Sequence, residues 1–322
     1  MRQRDPAERD ALAHLHDGDP EAYIELKCQR DELAVHEREA DAVAAILADW
    51  NQAQQQHGLS LAVMIARDNT TRAVLNEHAR QLLIHAGKIA PEGVTIADQE
   101  FRVGDRVIAR RNDRYRDIDN GTLASITDID PHTGTLTLVT DTGEPRLLDA
   151  SYAAEHLEPA YALTGHGAQG ATVQWAGVIG RAFEFTREWA YTSLSRARDQ
   201  TRAYLIAEAT ESQHDRKQYA PPAPQRTATE ALEIMTRAVT RHEAETLATQ
   251  HLDKTDMPGI DRSQIPLTPL TEIMEAGADL AAREAVSREF KQQPRKFLSP
   301  EPDWQLARQR ARDPNRGHGR EM

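Results

Sequence analysis

Tyr161-Ala162-Leu163-Thr164-Gly165-His166-Gly167-Ala168-Gln169-Gly170-Ala171-Thr172-Val173 and, further on, Trp189-Ala190-Tyr191-Thr192-Ser193-Leu194-Ser195-Arg196-Ala197-Arg198 decide the fold. The first stretch reads as a short apolar strand broken by a glycine-rich turn, with a second strand running on through Val178 and Ile179. The second reads as a short helix ending in clustered arginines, followed by a strand around Tyr204-Leu205-Ile206. Upstream, Leu61-Ala62-Val63-Met64-Ile65-Ala66 is too short and too uniformly apolar for a lone helix, so a buried parallel strand is expected. Asn69 or Thr70 can cap the next helix, with Ala73, Val74, Leu75, Leu82, Leu83 and Ile84 on its apolar face. Strand alternating with helix predicts an α/β domain with a parallel sheet.

Between these segments the texture changes. Short β-like runs (Val107-Ile108-Ala109, then 122–127, 135–140 and 146–148) are separated by the turn signals Asp119-Asn120-Gly121, His132-Thr133-Gly134 and Asp141-Thr142-Gly143. Closely spaced hairpins of this kind predict a small antiparallel barrel over residues 93–150, inserted into the α/β pattern. That pattern then occupies 58–92 and 151–207. Residues 1–57 read as a helical lead-in, with Asp19-Pro20 as a helix start and an amphipathic helix through Ala42, Val43, Ala45, Ile46, Leu47 and Trp50. Ala220-Pro221-Pro222-Ala223-Pro224 marks a stiff linker over 208–225. Residues 226–322 are expected to be a helical and disordered extension, with helices over 226–251 and 269–292.

The balance of 39 basic against 51 acidic residues, net −12, argues against a histone-like, wholly electrostatic DNA binder. A local basic groove on an acidic body is still allowed. The single Cys28 excludes an internal disulfide framework. The polar start and the lack of a long apolar run predict no signal peptide and no membrane partner. A soluble, cytoplasmic chain is the expectation. The 13 histidines are scattered without metal-ligand spacing, so no metal site is expected.

Gly165-His166-Gly167-Ala168-Gln169-Gly170 satisfies G-x-G-x-x-G, and a dinucleotide site must be weighed first. That motif works by opening a long helix whose N-terminus meets a pyrophosphate. Here a β-like run follows almost at once, which leaves barely a turn of helix and disfavours a dinucleotide-binding oxidoreductase.

His166, Gln169, Gly170, Thr172 and Val173 instead resemble motif V of superfamily 1 DNA helicases, a strand followed by a His-x-x-Gln-Gly turn and Thr-Val. Gly167 stands where many relatives carry a larger residue such as Lys. Tyr191-Thr192-Ser193-Leu194-Ser195-Arg196-Ala197-Arg198 resembles motif VI, with Ser193 in place of the usual Ala. Arg67-Asp68-Asn69 through Asn76 resembles motif IV less specifically. Val103-Gly104-Asp105-Arg106-Val107 and Asn120-Gly121 resemble the Src-homology-3-like barrel that RecD-like helicases insert before motif V. The opening Arg2-Gln3-Arg4-Asp5-Pro6-Ala7-Glu8-Arg9 resembles the segment that follows the first motor domain in conjugative relaxase-helicases of the TraA/TrwC kind. The likeness covers about residues 1–207.

This resemblance implies a second RecA-like domain. Arg196 falls where the family's arginine finger sits, and a guanidinium there neutralises charge on a transferring γ-phosphoryl group. Arg67 is the second γ-phosphate candidate and Arg72 a weaker one. Thr164, His166, Gln169, Gly170 and Thr172 are expected to couple nucleotide to single-stranded DNA. The basic strip of Arg102, Arg106, Arg110, Arg111, Arg114 and Arg116, with Tyr115 among them, suits backbone tracking plus base stacking.

No Gly-x-x-x-x-Gly-Lys-Ser/Thr occurs; the only Gly-Lys pair is Gly87-Lys88. The expectation is therefore ATP and Mg²⁺ only in a complete enzyme and no ATPase activity of this chain alone. A truncated product, or a partner chain supplying the P-loop domain, would account for it. The competing expectation is a non-enzymatic single-stranded DNA-binding or partner-docking module.

Overall fold

The computed structural model describes residues 3–207 and 227–240, together with Arg283 and Arg288. Along the chain run α1 (Pro6–His16), α2 (Glu21–Gln29), β1 (Leu33–His36), α3 (Glu39–His57), β2 (Ala62–Ala66) and α4 (Asn69–His85). The short strands β3 (Val94–Ile96), β4 (Gln99–Phe101), β5 (Arg106–Ala109), β6 (Leu123–Ile129), β7 (Leu136–Thr140) and β8 (Pro145–Leu148) follow. Then come α5 (Ala150–His156), β9 (Leu157–Pro159), β10 (Ala162–Thr164), β11 (Val173–Arg181), α6 (Arg187–Leu194), β12 (Ala197–Ile206) and α7 (Ala228–Thr240).

Five strands form a parallel sheet in the order β1-β12-β11-β2-β10. All five residues of β2 are buried, as a strand covered on both faces requires. One face packs Ile46, Leu47 and Trp50 of α3 and Leu75, Ala79 and Leu83 of α4 against Met64 and Ile179. The other packs Leu12 and Leu15 of α1, Tyr23 of α2, and Trp189 and Leu194 of α6 against Ile65 and Val178. Each such fully buried Leu or Ile contributes about 1.5–3 kcal/mol. The expected α/β fold with a parallel sheet and an antiparallel insertion is what the structure shows.

Three details depart from the reading of the sequence. Residues 33–36, inside the segment read as helical, form the sheet's edge strand; Leu33 pairs with Ala203 and His36 with Ile206. Four residues carry too little periodicity to announce a strand, and its partner lies far along the chain. The antiparallel sheet, in the order β8-β7-β6-β5-β9, takes β9 from beyond residue 150, since Val107 pairs with Pro159 and Ala109 with Leu157. With the β3–β4 hairpin and α5 it encloses one core around Phe101, Ile126, Leu138 and Tyr152. Finally, α7 lies beyond the expected edge at 207, yet its Leu232, Met235 and Val239 complete the same core face as α6. The predicted linker over 208–225 lies outside the described residues, as does most of the predicted helix over 269–292.

Among the described residues no helix is long and apolar enough to cross a membrane.

Candidate nucleic-acid and nucleotide-coupling site

Parallel strands give the sheet two chemically different rims. At the C-terminal rim β2 ends into Arg67 and β10 ends at Thr164, which lies level with Ala66. At the N-terminal rim β11 starts just after Thr172, and β12 starts just after Arg196, with Val173 paired to Ala197. Residues 165–172 run from one rim to the other across the face covered by α6.

That loop is pinned at its middle and open at its corners. Ala168 is fully buried, and its N–H donates to the Thr164 carbonyl (2.9 Å). The Gly167 N–H donates to Thr164 Oγ1 (3.2 Å). Gly165 is required by packing, because a Cβ there would sit 2.7 Å from Trp189 Nε1. Gly170 adopts φ +90°, a conformation that side chains strain to reach. His166, Gln169 and Gly170 are exposed, while Thr164 and Thr172 are half-buried.

Arg196 stands immediately after the C-cap of α6, half-buried, with Nε donating to the Thr192 carbonyl (2.6 Å) and Nη2 3.2 Å from Ser195 Oγ. The segment holding its backbone went unseen in the sequence. The buried Gln3 amide donates to the carbonyls of Ser195 (2.8 Å) and Ala197 (3.2 Å), one on each side of Arg196. Next to it the Arg4 N–H donates to the Arg198 carbonyl (3.0 Å), and the Arg4 guanidinium pairs with Asp199 (3.1 Å). The opening residues thus clamp the arginine turn.

Arg67 does not join Arg196. Its guanidinium lies over the Trp189 ring, 5.5 Å from the centroid. Eight strand residues separate the levels of Arg67 and Arg196, about 26 Å at the usual rise. That exceeds the reach of two arginine side chains toward one phosphate. The expectation of a shared γ-phosphate contact fails because strand β2 delivers Arg67 to the opposite rim.

The arginine strip also divides. Arg106 is buried and forks onto Asp141 (2.6 Å for Nη2), so it ties β5 to the turn after β7 and is not a contact for a ligand. Arg102 is taken up by Glu100, and Arg116 by Asp113 and Asp149. Arg111, Arg114 and the fully exposed Tyr115 form the outward part, with Arg111 Nη1 3.1 Å from His156 Nε2.

Arg110 links the two halves. Its guanidinium reaches the 164–167 turn, where a Cβ added at Gly167 would lie 3.3 Å from Arg110 Nη1 and 3.2 Å from Thr164 Oγ1. It shares Glu158 with Arg72 of α4: Arg110 Nε and Arg72 Nη1 both donate to Glu158 Oε2, at 2.8 and 3.0 Å. Burial raises the Glu158 pKa, but Arg110 and Arg72 outweigh it and hold the carboxyl below its ordinary range. Glu158 carried no motif and no periodicity by which the sequence could have singled it out. No group of three His, Cys, Asp or Glu side chains able to hold a metal occurs among the described residues.

No family model matches the chain. It is 26% identical over 208 residues, 63% of its length, to "Conjugal transfer protein TraA" of Agrobacterium fabrum. Over 130 residues, 39% of its length, it is 37% identical to "ATP-dependent RecD2 DNA helicase" of Deinococcus radiodurans. Over these stretches the chain is homologous to both proteins. It spans only 18% and 17% of the length of these two relatives. Among solved structures, a Pif1 helicase from Candida albicans aligns at 17% identity over 63% of this chain and 54% of the other, with a TM-score of 0.41.

Proposed function

We propose that this chain is the second RecA-like half of a superfamily 1 DNA motor of the conjugative relaxase-helicase kind. In this reading the N-terminal rim of the sheet presents Arg196 to a nucleotide held by another polypeptide segment. The C-terminal rim, with the 164–170 turn, Arg110, Arg111 and Tyr115, grips single-stranded DNA. The observation that carries it is the clamped arginine turn. Gln3 fixes the backbone on both sides of Arg196, an investment expected where a guanidinium must meet a developing charge in a set geometry.

ATP and Mg²⁺ belong to the complete motor. Among the described residues the N-terminal rim offers an arginine and no phosphate-cradling loop, which fits a contributor of the finger and not of the cradle. Hydrolysis therefore requires a P-loop domain, in the same polypeptide or in a partner. The purified chain is expected to hydrolyse no ATP with or without oligonucleotide, and to do so once a P-loop half from a homologous helicase is supplied. A steady-state rate from the chain alone that disappears in Arg196→Ala would overturn this assignment.

A second reading is favoured by one observation: Arg111, Arg114 and the fully exposed Tyr115 face outward together on this chain. A non-enzymatic single-strand-binding module would show nucleotide-independent, salt-sensitive oligonucleotide binding that is unmoved by Arg196→Ala. No stimulation by any P-loop half would then decide for the module over the motor.

A further inference from the structure

We infer that Glu158 is an internal stand-in for a nucleic-acid phosphate, and that Arg72 and Arg110 form a phosphodiester site which the single strand enters by displacing it. The inference rests on the DNA-gripping part of the reading above and is independent of any nucleotide chemistry.

The geometry is that of a bound oxyanion. One carboxylate oxygen accepts from two guanidinium groups on different elements, α4 and the end of β5, at 3.0 and 2.8 Å. A phosphodiester oxygen carries the same charge and accepts in the same way. Arg72 and Arg110 are held in place by more than Glu158. Arg72 Nε also donates to Asn69 Oδ1 (3.2 Å), and the main chain of Arg110 is fixed by its backbone N–H, which donates to the His156 carbonyl (2.8 Å). Glu158, by contrast, keeps 38% of its side chain exposed, so rotating its carboxylate into water costs little beyond the two bonds it gives up. The incoming phosphate replaces those bonds.

The surroundings suit a backbone rather than an isolated ion. Gly167 lets the turn come close to Arg110, since a Cβ there would lie 3.3 Å from Arg110 Nη1, and exposed His166 and Gln169 continue the same turn. On the other side Arg111 and the fully exposed Tyr115 offer the next charge and a stacking surface. A side chain at position 167 would compete with Arg110 for this space. In this chain the inserted antiparallel unit, not the turn, supplies the cation.

The test is binding of a fluorescein-labelled oligothymidine to the full chain, followed by anisotropy across a salt series. Glu158→Gln removes the competing charge and keeps the shape. It should tighten binding about three- to tenfold at low salt and steepen the salt dependence by roughly the 0.7 expected for one more phosphate contact on a single strand. Glu155→Gln, which removes an equal charge from an exposed position on the neighbouring helix, should not. Arg72→Ala should weaken binding by the wild-type chain and abolish the gain in the Glu158→Gln background.

Binding by the wild type with no gain in Glu158→Gln overturns the stand-in and leaves the DNA reading intact. No binding by either protein overturns the DNA reading itself. Should Glu158→Gln fail to fold, Arg72→Ala still decides, since unchanged affinity there means that Arg72 serves only to hold Glu158. Displacement of the oligonucleotide by inorganic phosphate at matched ionic strength would mark a free-anion site and overturn the backbone assignment.

Discussion

Gln3 and the arginine turn lie far apart along the chain, and their contact shows how much a single side chain can settle. Two buried hydrogen bonds from one amide, each contributing about 0.5–1.5 kcal/mol, hold the turn that carries the arginine. Gln3→Ala should therefore lower the unfolding free energy by about 1–3 kcal/mol in urea titrations. Gln3→Glu should cost more near neutral pH, because a carboxylate facing two carbonyl oxygens is repelled by both. Equal stability of Gln3→Glu and wild type would show that these bonds are not made. At this scale the sequence was legible where a motif is local: the turn after β10 and the arginine after α6 stand where their residues predicted. It was silent where function depends on a partner far along the chain, as for Gln3 and Glu158. It misled for Arg67, because a residue that follows a parallel strand lies at the C-terminal rim while Arg196, which precedes one, lies at the other.

At the level of elements, helix α4 shows the difference between forming a helix and fixing it. Asp68 caps it, its side chain accepting from the Thr71 N–H at 2.8 Å. Asn76 then locks it to β10, accepting from the N–H groups of Tyr161 and Ala162 and donating to the Ala162 carbonyl. Two residues further on, His78 is buried, with Nε2 lacking a hydrogen-bond partner. Burial lowers its pKa below the ordinary 6.5, against a smaller opposite pull from Glu77. The folded chain thus holds His78 neutral while the unfolded chain protonates it near 6.5. Its stabilising contribution is complete above that pH and is lost as the pH falls toward the lower folded value. Chemical denaturation between pH 7.5 and 5 should show stability declining below about 6.5, and His78→Leu should flatten that decline; an unchanged slope in the variant would remove His78 as the cause. Elements of this length and periodicity were readable from the sequence. The strands β1 and β9 were not, because three or four residues acquire strand character only from partners that the chain brings in elsewhere.

Across the whole molecule, the decisive contact is the joint that sets the inserted antiparallel unit against the parallel sheet. The turn entering β5 needs Gly104, whose φ is +96° and whose missing Cβ would lie 2.8 Å from the Lys88 carbonyl. That turn delivers Asp105, fully buried, to a fork from Arg80 of α4 at 3.0 and 2.8 Å. The same carboxylate accepts from Tyr161 Oη at 2.7 Å and from the Arg102 N–H at 2.9 Å. Burial opposes the charge on Arg80, and Asp105 more than restores it. Helix, insertion and strand β10 therefore meet on one carboxylate. The Gly-Asp-Arg pattern was visible in the sequence, but its physical purpose was not, since Arg80 and Tyr161 lie in segments on either side of the insertion. Removing Asp105 leaves Arg80 buried without its counter-charge, a change that typically costs about 3–5 kcal/mol. Asp105→Ala should lose stability of that order in equilibrium denaturation. Asp105→Ala with Arg80→Leu should lose clearly less than the two single changes added together, because the stranded cation is gone. The joint also sets Arg110 against the turn at Gly167, so the double variant, if folded, should bind oligothymidine more weakly although no outward-facing residue has changed. Full affinity in a variant that has lost this joint would mean that the insertion and the parallel sheet grip the strand independently, and that Arg110 needs no fixed position to do so.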